Sequence, residues 1–198
     1  FLVVYSHPHN KHCNVCYAGE SIQQGNLFGT IALGKGVDDF SQLEQHRLLY
    51  EGLVDLVLHE VGHTLGLNHN FFASQLHSFN NIHDRHITEP VGLYSSVMDY
   101  TSANIGPDPK HHGQYYSTVP GPYDIWAIEY GYTPSLENPE DEKDRVKTLL
   151  NKSTKNEYGF GNDADDMRSP GRGIDPRIMV NDMSSDPVGY AQQRMDII

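Results

Sequence analysis

The chain alternates between stretches with a clear apolar period and stretches with none. Residues 1–6 (FLVVYS) are a β-branched and aromatic run, which predicts a short buried strand. A polar, His-rich loop follows (HPHNKHCNVC). Across 17–33, Ile22, Leu27, Phe28, Ile31 and Ala32 fall on one helical face, while Gly19, Gly25 and Gly29 argue against a helix, so the pattern is ambiguous. The strongest element comes next. Ser41-Gln-Leu-Glu44 has the form of a capping box. From Gln42 the apolar residues Leu43, Leu49, Leu53, Val54, Leu56, Val57, Leu58, Val61 and Leu65 run on to Gly66, a natural helix stop. So many apolar positions predict a helix buried on most sides.

Residues 67–121 are rich in Asn, Ser, Pro, Gly, Tyr and His and predict long irregular connections, which inside a compact domain usually serve function. Helices are predicted again at 122–130, with Pro122 in the first turn, and at 139–151, with acids early and bases late. The segment 159–176 reads as a Gly/Asp/Pro-rich loop and 187–198 as a final helix.

Length and charge narrow the possibilities. The chain has 198 residues, enough for one domain with a real core. Its 14 Lys+Arg against 26 Asp+Glu give a formal net charge of −12, which disfavours a nucleic-acid backbone or an anionic membrane surface as partner. No apolar run approaches the roughly 20 residues a membrane-spanning helix needs. Two cysteines cannot build a disulfide scaffold. The start at Phe1, without Met, reads as a piece of a larger or processed protein.

The chemistry concentrates on the long helix. His59-Glu60-Val61-Gly62-His63 is an H-E-x-x-H motif. Four residues apart, His59 and His63 share one helix face and can reach one ion. Glu60 is rotated by about 100° from His59, which suits it to act on a water beside the ion and not as a ligand. The pattern extends to His63-x-x-Gly66-x-x-His69. A straight helix would carry His69 to the far side; a sharp turn at Gly66 returns it as a third ligand. Three neutral imidazoles leave an open position, the arrangement of a catalytic zinc site. In Ser96-Val97-Met98-Asp99-Tyr100, Met98 taken alone is an ordinary core methionine. With the histidine motif upstream, it reads as a Met-turn, an apolar floor beneath the imidazoles.

These residues carry a specific resemblance. HEVGHTLGLNHNF (59–71), SSVMDY (95–100) and GPYDIWAIEYGY (121–132) resemble the bacterial Met-zincin domain family of large zinc-dependent metallopeptidases, with weaker likeness in FGNDADD (160–166) and in the tail from 175 to 196. The resemblance implies zinc ligands His59, His63 and His69, the base Glu60 and the Met-turn residue Met98. The helix around Asp124 is also similar to the segment after the Met-turn in serralysins and matrix metallopeptidases, where an Asp anchors the lower subdomain. In astacins and serralysins the tyrosine at the position of Tyr100 sits beside the zinc, can bind it through the phenol oxygen, and swings away when substrate enters to hydrogen-bond the tetrahedral intermediate. A Tyr packed with its hydroxyl on a backbone carbonyl is the alternative.

The expected fold is therefore α+β, metzincin-like and helix-rich. A small or abbreviated sheet would precede the active-site helix, because only about 40 residues stand before it. A single catalytic domain would span 1–198, with an upper part over 1–68 and a lower part over 69–198. The expected activity is zinc-dependent hydrolysis of peptide bonds in a peptide or protein substrate. The alternatives are a zinc-containing binding module that no longer cleaves, and hydrolysis of a non-peptide amide. The resemblance implies an extracellular or periplasmic location, which the segment itself does not reveal.

Other clusters carry weaker signals. His7, His9, His12, Cys13 and Cys16 could form a second metal or redox site, but without a partner motif they read as a polar loop. Asp163, Asp165 and Asp166 could bind calcium, yet they lack EF-hand spacing and read as a solvated acidic loop. His83, His86, His111 and His112 read as surface residues, one of which could assist substrate binding.

Overall fold

In a computed structural model the described residues are 17–34, 42–108, 113–166, 173 and 175–197. The strand expected at 1–6, the His/Cys cluster at 7–16, Ser41 of the capping box and the pair His111–His112 lie outside them. Among the described residues the regular structure is helical and no strand occurs. Helix α1 spans Ala18–Gly34, α2 Gln42–Thr64, α3 Arg85–Thr88, α4 Pro122–Tyr132, α5 Pro139–Leu150 and α6 Pro187–Ile197. Short 3-10 turns lie at Ala73–Leu76, Asn151–Thr154 and Asn156–Tyr158. The ambiguous stretch at 17–33 is thus helical. Tertiary packing overrides its glycines, since α1 lies along α2 with Ile22, Phe28 and Ala32 against a core of Leu48, Ala103, Ile105, Tyr115 and Tyr116.

Helix α2 corrects the sequence reading of its packing. Its buried residues are Leu48, Glu51, Gly52, Asp55, His59 and Gly62. Their spacing of three, four and seven defines one inward stripe. The apolar residues Leu43, Leu49, Leu53, Val57, Val61 and Leu65 are exposed, Leu53 to 60% and Leu43 to 73%. Apolar abundance misled because the inward stripe is largely polar.

The reason lies in what the stripe touches. Over residues 89–108 and 113–121 the chain that meets α2 is irregular, and its backbone N–H groups find no ladder and need other acceptors. Buried side chains supply them. The Glu51 carboxylate accepts from the amides of Tyr115 (2.5 Å) and Tyr116 (3.3 Å) and from Arg47 Nε (2.9 Å). Asp55 accepts from the Tyr94 hydroxyl, whose oxygen in turn accepts the Ser117 amide at 3.1 Å. Asp99 accepts from the amides of Ser74 (3.1 Å) and Tyr100 (2.7 Å). Each unmade bond of this kind would cost about 1–3 kcal/mol.

Helix α4 begins as its sequence predicts, with Pro122 in the first turn and the Asp124 carboxylate accepting from the Gly121 amide at 2.9 Å. Trp126 Nε1 donates to Leu149 O at 2.9 Å, tying α4 to α5. Helix α5 starts at an Asn138 cap, with acids in its first turn and Lys147 in its last. Among the described residues no helix is long and apolar enough to cross a membrane.

Candidate metal centre

The three motif histidines meet at the end of α2. Their nitrogens lie within 4.8 Å of one another, and among the described residues this is the one group of three or more His, Cys, Asp or Glu side chains close enough to share an ion. Helix geometry places His59 and His63, whose rings meet edge to face at 4.8 Å. Gly66, at φ +89°, makes the turn that brings His69 back. The turn is closed by the Leu67 amide donating to Gly62 O at 3.0 Å.

Each imidazole is oriented through its Nδ1. His59 Nδ1 donates to Val97 O at 2.7 Å, and His63 Nδ1 donates to Leu67 O at 3.1 Å. His69 Nδ1 donates to the Asp163 carboxylate, at 2.8 Å to Oδ2 and 3.1 Å to Oδ1. Carbonyls and carboxylates only accept, so Nδ1 carries the proton on each neutral ring and Nε2 keeps its lone pair. His59 Nε2 is buried without a hydrogen-bond partner. A buried, unsatisfied nitrogen facing two further imidazoles is costly unless a cation fills the space between them. The donor set therefore fits a metal ion, and three nitrogens with an open position fit zinc.

The turn at 96–100 packs against the end of α2 beside this site. Met98 is fully buried, with its Sδ against Gly62, where a Cβ would collide with it. The turn is locked from below by Asp124 on α4. This carboxylate accepts from Ser96 Oγ (2.5 Å) and from the amides of Val97 and Gly121 (both 2.9 Å). Burial pushes the Asp124 carboxyl upward, against the opposing pull of those three donors. Because Val97 O holds His59, Asp124 acts on the centre through the turn.

Tyr100 is buried beside the triad. Its ring stacks on His59 at 5.4 Å, and its hydroxyl lies 2.8 Å from His69 Nε2. With the His69 proton on Nδ1, the phenol donates to Nε2, while its oxygen accepts the Tyr17 amide at 3.1 Å. Glu60, next to His59, is exposed.

Other candidates fare differently. The acidic loop is not simply solvated: Asp166 is buried, Asp163 engages His69, and Asp165 accepts the Asn162 amide at 3.1 Å. The link from Asp163 to His69 spans 94 residues, and no spacing rule in the sequence reveals it. His83 is half-buried and not a surface residue, packed against Gly106 and Gly113 with Gln193 Nε2 at 3.3 Å. His86 is exposed near the start of α3.

Comparison with known families agrees with this geometry. The Met-zincin family matches residues 42–198, from the start of α2 through the last helix, and the chain belongs to that family. No curated protein and no solved structure matches it.

Proposed function

We propose that the chain is a zinc metalloendopeptidase domain of metzincin type. The observation that carries this reading is the convergence of three imidazoles, each with Nδ1 already engaged and Nε2 turned inward. His59, His63 and His69 would hold the ion, which when bound supplies Lewis acidity to a water and to the scissile carbonyl. Glu60 takes a proton from the attacking water and delivers it to the leaving amine as the C–N bond breaks. The Tyr100 phenol, 2.8 Å from a ligand nitrogen, donates to the carbonyl oxygen as it gains charge. Membership of the Met-zincin family supports the reading. So does Glu60, for which a purely structural zinc site has no use. The substrate is a peptide or protein.

The test is a peptide-library cleavage assay on zinc-loaded protein, with zinc content measured in parallel. Wild type should bind one zinc and cleave peptides. Glu60→Gln should keep the zinc and lose roughly 10²-fold or more in turnover. Zinc without cleavage of any peptide would favour a binding module or a hydrolase of non-peptide amides. Loss of zinc in the Gln variant would make Glu60 a ligand. Tyr100→Phe should lower kcat with little change in KM, the pattern of a contact made only in the transition state; unchanged kinetics with lower thermal stability would leave Tyr100 a packing residue.

A further inference from the structure

The three imidazoles are not held alike. His59 and His63 donate to backbone carbonyls of the Met-turn and of the turn after α2, which are fixed by the chain's own path. His69 donates to a side chain, the carboxylate of Asp163, from a loop far along the chain. We infer that Asp163 is a positioning residue for the metal centre, setting the tautomer and ring direction of His69. The inference rests on the reading of the triad as a zinc site.

The fold builds this contact by a separate set of bonds. Immediately after His69, the buried Asn70 side chain clamps the loop at two points: its Nδ2 donates to Gly159 O at 3.0 Å, and its Oδ1 accepts the Gly161 amide at 3.1 Å. The Phe71 amide donates to Gly161 O at 2.7 Å. The two segments lie so close that a Cβ at Gly159 would strike the Phe72 ring, and the other side of the loop is filled by Ile178, which a Cβ at Gly161 would strike. Beyond the clamp, Asn162 organises a turn, its Oδ1 accepting the Ala164 amide at 2.8 Å and its O accepting the Asp165 amide at 2.9 Å. The residue the turn presents to His69 is Asp163. Bonds between the segment after His69 and the loop before Asp163 thus fix donor and acceptor relative to each other.

A carboxylate on the far nitrogen of a ligating imidazole holds the proton on Nδ1, aims Nε2 and raises its basicity. Neutral His69 without this acceptor can carry its proton on Nε2, which cannot ligate. The Asp163 side chain is itself largely exposed, so its removal spares the core.

The test compares wild type, Asp163→Ala and Asp163→Asn by zinc affinity in chelator competition. Ring-nitrogen NMR of His69 in the metal-free proteins, above the histidine titration range, and thermal midpoints complete the comparison. Asp163→Ala should weaken zinc binding by about 10–100-fold, the usual cost of losing such a partner, with the metal-free midpoint unchanged. His69 should move from the Nδ1–H form toward a tautomer mixture. Asp163→Asn, which keeps an acceptor oxygen but no charge, should restore the tautomer and part of the affinity. Zinc affinity in Asp163→Ala within about threefold of wild type would overturn the inference, as would an unchanged tautomer or an Asn variant as weak as the Ala variant. Wild type that binds no zinc would instead overturn the reading of the triad, and this inference with it.

Discussion

Helix α2 has two faces of opposite character. Its inward stripe carries Glu51, Asp55 and His59 among its buried residues, while its outward stripe shows Leu49, Leu53, Val57 and Val61 to solvent. In an ordinary amphipathic helix the assignment is reversed. The difference follows from the neighbour each face meets. Beside α1, which covers Leu48 and Gly52, the inward face meets irregular chain, whose amides, carbonyls and hydroxyls need acceptors and donors more than apolar cover. Glu51 on the Tyr115 and Tyr116 amides, Asp55 on the Tyr94 hydroxyl and His59 on Val97 O are three turns of one answer. The metal centre lies at the end of that stripe.

The sharpest way to probe the difference is pH, because the inward face stores buried acids and the outward face none. Burial pushes the Asp55 carboxyl up to about 8 from an ordinary 3.8, helped by the nearby charge of Asp124 and opposed by the Tyr94 hydroxyl. Asp182, buried beside Ser74 and near Asp99, is pushed up to about 7 by the same cause. The folded state therefore holds these protons more tightly than the unfolded chain, and stability should fall as pH rises from about 4 to about 8. Each pH unit between folded and unfolded values is worth about 1.4 kcal/mol, so the span reaches several kcal/mol at most. Glu142, pulled down to about 2 by Arg145 at an exposed site, acts with the opposite sign but only below its ordinary 4.5. Thermal midpoints across this range, for wild type and Asp55→Asn, measure the effect. The variant should flatten the slope, and a wild-type midpoint that rises toward pH 8 would contradict the buried-acid account.

Packing gives the next contrast. Leu48 on the inward stripe is fully buried against Ala103, Ile105, Tyr115 and Tyr116. Leu48→Ala should cost about 2–5 kcal/mol. Leu53→Ala, one and a half turns on but outward, should stay within about 0.5 kcal/mol. Urea unfolding of the two variants settles the comparison, and equal losses would mean that the outward face is covered in solution.

Parts of this were legible in the sequence. The starts of α4 and α5 are legible in Pro122 and in the ordered charges of 139–151, because first-turn and dipole effects are local. The triad was legible because helix period and the Gly66 turn are local as well. The number of apolar residues in α2 points to the wrong face, because the inward stripe is largely polar. The period of 48, 51, 52, 55, 59 and 62 was present throughout, with the polarity inverted. Asp163 was visible only as part of an acidic loop. Its role depends on a clamp between Asn70 and a segment some 90 residues later, and no periodicity or propensity records a contact that remote.

A smaller effect than that of Leu48→Ala is expected where the inward stripe meets the Met-turn. Met98 is fully buried, and its Sδ rests against Gly62. Its backbone is held independently of the side chain, the amide donating to Ser96 Oγ at 3.1 Å and the carbonyl accepting from Asn70 N–H at 2.9 Å. Met98→Leu keeps nearly the same apolar volume and leaves those bonds in place. It should cost less than about 1.5 kcal/mol, with zinc content unchanged and activity modestly lower. The branched Leu cannot follow the groove above Gly62 as the flexible thioether does, so the loss should come from imperfect packing and not from the metal. Urea midpoints with zinc analysis on the same samples provide the check. If zinc disappears while the fold survives, the Met98 sulfur belongs to the ligand set and is not merely an apolar contact.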